Sequence, residues 1–494
     1  MPKPQPRDIH FSTQYQTYDV ANSATITATF TIDNMPWGCL AFLKKHLLGR
    51  FFAKYKTSPA TPAPAEAYIK LPDSPLSVSD EAPQESDDPD DELSDTSSFC
   101  GSLTSTIQYE HEPFATFQIR ALALAREKLW PDMDPELISV ERLEGGSFNR
   151  IIGLRGDDEY ILRIPRGEAG DLRRDVAALT FCSRYTDLSV PSVTTYDATG
   201  DNVLGKPYMI QNRLQGESLL SYPEMSHENK CRVARDVGRT IRDMLNTKSR
   251  NAGFLGPSPD TTSLSVIPFQ PKEPAPAGAP YLNSESAVSA GDLMMDLFQC
   301  QKAALESSGR LNAVNQKEID DWCTMTRELM EGGWLENISN CLAHLDFEPR
   351  NMLVEVDSPA DQPIVSGILD WDSAVLVPSF LCCRPAFWLW TDWDDEDMDD
   401  EDERIAGDDP RTDEERELKR IFEDAAGPDY LRFAYGTPYR LARGLLTCAI
   451  QPLPLRSNED FEASLVMMEE WVEFMKGQGK ASNLKPFPSK KNRK

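Results

Sequence analysis

The sequence predicts an α+β protein of two lobes: a small antiparallel sheet, then a larger and mostly helical part, behind a disordered N-terminal extension. Three observations carry this. Residues 137–214 alternate short apolar runs with polar turns, the pattern of short strands. From Ser226 onward most segments repeat their apolar residues at helical spacing. Residues 57–110 are rich in Pro, Ser and acid, a composition that cannot bury enough apolar surface to offset chain entropy.

Residues 1–56 form an N-terminal segment with one patterned stretch, Met35–Lys56. Leu40, Leu43, Leu47, Phe51 and Tyr55 fall near one helical face, with Lys44, Lys45, Arg50, Lys54 and Lys56 interleaved. Such a helix can contact a protein or an anionic membrane surface, or pack against the main domain. The acidic linker spans 57–113. The folded domain is expected over 114–477, with the first lobe at about 114–220 and the second at about 221–477. It opens with a helix, FATFQIRALALAREKLW, stopped by Pro131. Three strands follow in LISVERLEGGSFNRIIGLRGDDEYILRIPRG, joined by turns at 144–149 and 155–159. Then come a helix at about Asp171–Tyr185 and two more strands, in VPSVTTYDATG and PYMIQNRLQGESL. The helical lobe is interrupted by a Pro/Gly/Ala-rich loop, about Gly253–Ala290, and by a strand pair, NMLVEV and VSGILDW. The tail 478–494 is basic.

The formal net charge is −29, from 51 Lys+Arg and 80 Asp+Glu. Two runs account for most of it: 12 acids and no Lys or Arg over 73–112, and 10 acids and no Lys or Arg over 392–403, leaving −7 for the rest. A general nucleic-acid binder would be basic, so no nucleic-acid partner is expected. The ten cysteines are scattered without a CxxC, which reads as reduced intracellular thiols. A zinc site would need clustered Cys and His, and the sequence shows none. No apolar stretch approaches the roughly 20 residues of a membrane span, and the polar, Pro-rich start does not read as a secretory signal. The expected compartment is the cytoplasm, with the nucleus as second candidate through the basic tail.

The sharpest chemical signal is Cys341–Val354, CLAHLDFEPRNMLV, which holds His344, Asp346 and Asn351 in the spacing H-x-D-x4-N. Phosphoryl transfer from a nucleotide needs one carboxylate to take the acceptor proton and an amide oxygen to help hold a magnesium ion. His344 and Asp346 are therefore the candidate catalytic residues and Asn351 a candidate metal ligand. A loop leading into the apolar strand Met352–Val354 would fix these side chains at its mouth. Sixteen residues after Val354, the apolar run GILDWD ends on Asp370, a second hard-oxygen ligand for Mg²⁺. Upstream, Gly145, Gly146 and Ser147 form a turn able to lay backbone N–H groups over phosphates. Arg163, on the alternating strand YILRIPR, reads either as a phosphate clamp or as a surface strand residue.

Taken together, the glycine turn, cationic strand, acidic helix, linker strand, HLDFEPRN and ILDWD resemble the aminoglycoside phosphotransferase and choline kinase branch of the protein-kinase-like fold. The fungal-type phosphotransferase-domain proteins are the nearest in pattern. The resemblance covers about Phe114–Gly477. It implies that Asp346 is the catalytic base and that Asn351 and Asp370 bind Mg²⁺. It puts Arg163 where the family usually has a phosphate-pairing lysine, Asp175 (or Asp171) as its partner on the helix, and Gln211–Arg213 as the linker against adenine. Arginine is always charged and bidentate, so it can still pair with phosphate at a different reach.

The expected function is ATP-dependent transfer of a γ-phosphate, with GTP as an alternative donor, to a hydroxyl of a small molecule. The alternative is a catalytically weak or inactive kinase-like binding or scaffold protein. A protein kinase is disfavoured because no APE-like segment follows Asp370. Instead Pro378–Trp393 (PSFLCCRPAFWLWTDW) reads either as an apolar wall that, with the acidic run, faces a cationic acceptor, or as a buried helix before a solvated loop.

Overall fold

The first lobe is built on period-two burial. The computed structural model describes residues 114–143, 148–166, 172–257, 264–269, 289–391, 403–450 and 458–484. The expected segment 35–56, the acidic linker, the glycine turn 144–147, Asp171 and most of the second acidic run lie outside them. Helix α1 (Phe114–Lys128) precedes strands β1 (Ser139–Arg142), β2 (Asn149–Arg155) and β3 (Glu159–Pro165). Helix α2 (Leu172–Tyr185) and strands β4 (Val193–Asp197) and β5 (Tyr208–Asn212) follow. The sheet is antiparallel throughout, in the order β1-β2-β3-β5-β4. Ile152, Leu154, Leu162, Ile164, Tyr208 and Ile210 share one face and bury the stripe Phe117, Ala121, Leu124 and Ala125 of α1. The register sets Arg163 opposite Ile151 and Met209, and Ile161 opposite Gln211. Arg163, Met209 and Gln211 therefore share the other face, toward the second lobe.

The second lobe begins with the short strand β6 (Glu217–Ser218) and the twenty-residue helix α3 (His227–Asn246), capped by Ser226. Strands β7 (Lys248–Ser249), β8 (Gly253–Pro257) and β9 (Leu264–Ile267) lead to helices α4 (Ala290–Ser307) and α5 (Ala313–Glu331). Strands β10 (Asn340–Ala343), β11 (Met352–Val354), β12 (Val365–Ile368) and β13 (Val375–Pro378) come next. Helices α6 (Asp413–Ala426), α7 (Pro428–Ala434), α8 (Thr437–Ile450) and α9 (Asn458–Gly477) complete the lobe. The α+β, two-lobe architecture is thus the observed one. Among the described residues no helix is long and apolar enough to cross a membrane.

Four features differ from expectation. The lobe holds a second five-stranded sheet, β7-β10-β13-β8-β9, where only the hairpin of β11 and β12 was legible. Two of its strands lie within the expected loop 253–290. As far as it is described, at 378–391, the aromatic segment is no α-helix: it makes two 3-10 turns, Ser379–Leu381 and Phe387–Leu389, with nearly all these side chains buried. Two prolines, Pro378 and Pro385, each lacking an N–H, deny it a continuous helix. Finally, the start of the basic tail is packed: Glu328 accepts from Ser482 Oγ (2.8 Å) and the Asn483 N–H (2.6 Å), and Leu484 is buried.

Helix α3 positions the site hairpin. Buried Asp236 accepts from the backbone N–H groups of Ile364 (2.7 Å) and Val365 (3.3 Å). Arg232 grips the hairpin turn at Ser358 Oγ (2.6 Å) and at the carbonyls of Ser358, Pro359 and Gln362. Charge-assisted hydrogen bonds of this kind hold backbone geometry tightly.

Candidate active site

Asp346 lies on the loop between β10 and β11. Strand β10 is buried by pairing with β13 (Cys341 opposite Val377), so the chain leaves the sheet at Ala343 in a fixed direction. The loop turns sharply because Leu345 adopts φ +58°, a left-handed conformation that is uncommon for a residue other than glycine. Its hydrogen bonds run Asp346 N to His344 O (2.8 Å), Glu348 N to Asp346 O (3.0 Å) and Asn351 N to Glu348 O (2.9 Å). Asn351 Nδ2 donates to Asp346 O (3.0 Å), which turns its Oδ1 the other way, free to face a cation.

His344 is 1% exposed. Its Nε2 lies 2.7 Å from Leu369 O, and its Nδ1 accepts from the Asp346 N–H at 3.3 Å. These contacts require the neutral tautomer with the proton on Nε2. Burial pushes the imidazole down to about 4, despite the opposing hydrogen bond to Leu369. His344 thus bridges the Asp346 loop and Leu369, and it also lines the cavity beside that loop. The same Leu369 donates its N–H to Asn351 O (2.8 Å). One residue, Leu369, therefore ties the Asp346 loop to the neighbouring Asp370 through both of its backbone groups.

Asp370 follows in a left-handed turn, φ +60°, and its side chain is 45% exposed. Asn351 and Asp370 thus present hard oxygen donors from two joined loops, a donor set that suits Mg²⁺. The Asp346 carboxyl is buried and accepts from Arg350. Burial pushes it up to about 7; Arg350 opposes the shift, and Glu348 and Asp370 add to it. A carboxylate held near neutrality is suited to take a proton at physiological pH.

Arg163 reaches across from β3. Its Nη2 donates to Asp372 Oδ2 (2.6 Å) and Asp370 Oδ1 (3.2 Å), and Asn149 Nδ2 also donates to Asp372 Oδ2 (3.3 Å). Burial works against its charge, yet Asp372, Asp370 and Asp175 hold the guanidinium protonated. Of the two helix candidates, Asp175 acts on Arg163, and Asp171 lies outside the described residues. Burial and the Asp372 charge push its own carboxyl well up. Gln211 is buried on the Arg163 face of the sheet, and its Oε1 has no hydrogen-bond partner among the described residues. A nucleotide base offering a donor would satisfy it. Gly145, Gly146 and Ser147 lie outside the described residues.

Sequence reasoning missed Asp372 and Asn149 as members of this constellation. The ILDWD run did display Asp372, but only the turn after Asp370 shows that it faces Arg163. On the other side of the loop, a cavity is walled by Ile241, Met244, Phe347, Leu381 and Trp388, with Glu348 and Arg384 at its polar side. The aromatic segment thus contributes part of a wall. The last residue of the acidic run, Glu403, is buried: it pairs with Arg384 (2.9 Å) and Arg443 (2.9 Å). Burial disfavours its charge, but the two guanidiniums outweigh that and hold its carboxyl below the usual range.

Residues 139–418 match the model of the phosphotransferase enzyme family. A subtelomeric hrmA-associated cluster protein of Aspergillus fumigatus is 35% identical over 88 residues, 17% of each chain. The altered inheritance of mitochondria protein 9 of Candida albicans is 28% identical over 124 residues, 22% of this chain and 20% of that one. The chain therefore aligns with about a fifth of the length of these relatives. Among solved structures, the ADP-bound aminoglycoside phosphotransferase APH(2'')-Ib superposes with a TM-score of 0.40 at 14% identity, over 71% of this chain and 97% of that one. The GDP complex of wild-type aminoglycoside 2'-phosphotransferase-IIIa gives 0.39 at 15%, over 72% and 98%.

Proposed function

Because this chain belongs to the phosphotransferase enzyme family, we propose that it moves the γ-phosphate of ATP, or of GTP, to a hydroxyl group of a small molecule. The observation that carries this reading is Asp346: a buried carboxyl near neutrality, on a loop tied through Leu369 to the carboxylate of Asp370. In the forward reaction Asp346 orients the acceptor hydroxyl and takes its proton as the oxygen attacks phosphorus. Asn351 and Asp370 would hold Mg²⁺, which neutralises charge on the phosphates when bound. Arg163 exchanges a carboxylate partner for phosphate oxygens, and Gln211 meets the base. The acceptor enters from the cavity side, where Phe347 and Trp388 would receive an apolar body and Glu348 a polar group.

The pairing of Arg163 with two carboxylates keeps a second reading in view, a kinase-like binding protein without turnover. Labelled ATP and GTP, screened against a metabolite library with and without Mg²⁺, separate the two. Transfer of label that requires Mg²⁺ supports the enzyme. Nucleotide binding with no transfer to any acceptor or to water supports the binding protein. Asp370→Ala adds a direct check on the metal: it should weaken Mg-nucleotide far more than metal-free nucleotide. Equal weakening of both would remove Asp370 from the metal site.

A further inference from the structure

Helix α3 begins with His227, and one turn later it carries Cys231 on the same face. Helix α6 packs alongside and brings Glu417, 190 residues from His227 in the chain. His227 Nε2 lies 3.0 Å from Glu417 Oε2, and Cys231 Sγ lies 3.5 Å from the same ring nitrogen. All three donor atoms fall within 4.8 Å of one another. Around a tetrahedral zinc with ordinary Zn–N, Zn–O and Zn–S bonds, neighbouring donor atoms are separated by roughly 3.3–3.6 Å. The three side chains are half-buried or exposed, so an ion can reach them from solvent.

We propose that His227, Cys231 and Glu417 form a zinc-binding site that clips α6 onto α3. This corrects the sequence-based expectation that Cys and His are nowhere clustered. One imidazole, one thiolate and one carboxylate form a borderline donor set that prefers zinc to magnesium, and it leaves a fourth position for water. A thiolate and a carboxylate together balance the dication. Binding releases the Cys231 proton, and the sulfur lone pair so freed becomes the metal–sulfur bond. Without a cation, burial and the Glu417 charge both keep the sulfur protonated. Arg235, Arg420 and Glu228 are the other charged groups acting on Cys231, and Arg420 is itself paired with Asp424 (3.2 Å).

The site is separate from the phosphotransfer residues. Ile241, on the cavity wall, is fourteen residues further along α3, roughly 21 Å at helical rise. The two helices also touch beyond the site, where a Cβ on Gly238 would come within 2.6 Å of Phe422 O. The ion would secure the end of a pair that glycine already brings close.

The test uses the full chain, stripped with chelator and held in excess Mg²⁺ so that hard-oxygen sites are filled. Zinc binding is titrated calorimetrically, and Co²⁺ serves as a spectroscopic substitute. The expected result is one equivalent of zinc and a thiolate-to-cobalt charge-transfer band with tetrahedral ligand-field intensity. Cys231→Ser should abolish the band, Glu417→Gln should weaken zinc at least about tenfold, and zinc should raise the Tm of the wild type but not of His227→Gln. Circular dichroism on each variant establishes that it is folded. A charge-transfer band that persists in Cys231→Ser, or zinc affinity equal in wild type and both Cys231→Ser and His227→Gln, overturns the proposal.

Discussion

Arg163 donates to Asp372 across 2.6 Å, and this bond joins the sheet lobe to the helical lobe. Asn149 makes the same crossing to the same oxygen. A single buried guanidinium thereby holds Asp370 and Asp372 and acts on Asp175.

Removing that cation should destabilise the fold. In Arg163→Ala, Asp370 and Asp372 lose the buried guanidinium that pairs with both, and breaking a buried pair from one side costs about 3–5 kcal/mol. Burial already pushes Asp175 and Asp372 upward. The loss should therefore be greatest above pH 7 and shrink as the pH falls and these groups protonate. Arg163→Lys should retain much of the stability. Thermal melts at pH 8 and pH 5 make the comparison, and a destabilisation independent of pH would point to lost packing alone.

Asp346→Asn should reduce transfer by roughly 10²–10⁴-fold and leave nucleotide affinity nearly unchanged. Its effect on stability has a definite sign. The folded-state pKa of Asp346 is raised to about 7, so the wild type loses stability as pH rises from the ordinary carboxylate range through about 7. The Tm of the Asn variant relative to wild type should be higher at pH 8 than at pH 5. Activity above a tenth of wild type would exclude the base role.

Arg350 tunes this base. It opposes the upward shift at Asp346, so Arg350→Gln should move the apparent pKa of kcat/KM higher than in the wild type. Wild-type activity should rise about tenfold per pH unit below about 7 and level off above. The variant should be slowest relative to wild type at acidic pH, below both midpoints, and approach it at alkaline pH. A pH–rate profile with an unmoved midpoint would show that Asp346 does not limit the reaction.

Of the second acidic run, only Glu403 lies among the described residues. The Glu403 side chain is 8% exposed between the half-buried Arg384 and the buried Arg443, so Glu403→Gln should lower the Tm by removing the charge that pairs with both. Replacing the acids of 392–402 with Asn and Ser should leave the Tm unchanged. If those acids face a cationic acceptor, its KM should rise, and added salt should shrink the difference. A Tm lowered as much by the 392–402 replacement would place that segment in the packed fold as well.

Elements whose residues alternate or repeat over a long window were legible. Leu162, Ile164 and Arg163 declared β3 by period two, and α3 and α6 declared themselves by their apolar stripes. His344, Asp346, Asn351 and Asp370 were legible because the chemistry needs those types at close spacing before a strand. The second sheet was not, because β7 has two residues and β10 and β13 four each, too few to show a period. Contacts made by returning chain were equally hidden. Asp372 faces Arg163 only because Asp370 turns left-handed, and Glu417 meets His227 only because two helices pack. The contact of His344 with Leu369 O was hidden too, since that carbonyl lies 25 residues further along the chain.

The cross-lobe bond also constrains the order in which the protein can be assembled. Arg163 and Asp372 are 209 residues apart. At about 5–20 residues per second, a ribosome completes β5 roughly 8–32 seconds before it reaches Asp372. For that interval the five-stranded sheet can form its own core around α1, but its arginine has neither Asp370 nor Asp372 to meet. The sheet lobe must wait with a solvated cation on its inner face, and nascent chains arrested short of residue 370 should stay open to protease there while the α1 side is already protected.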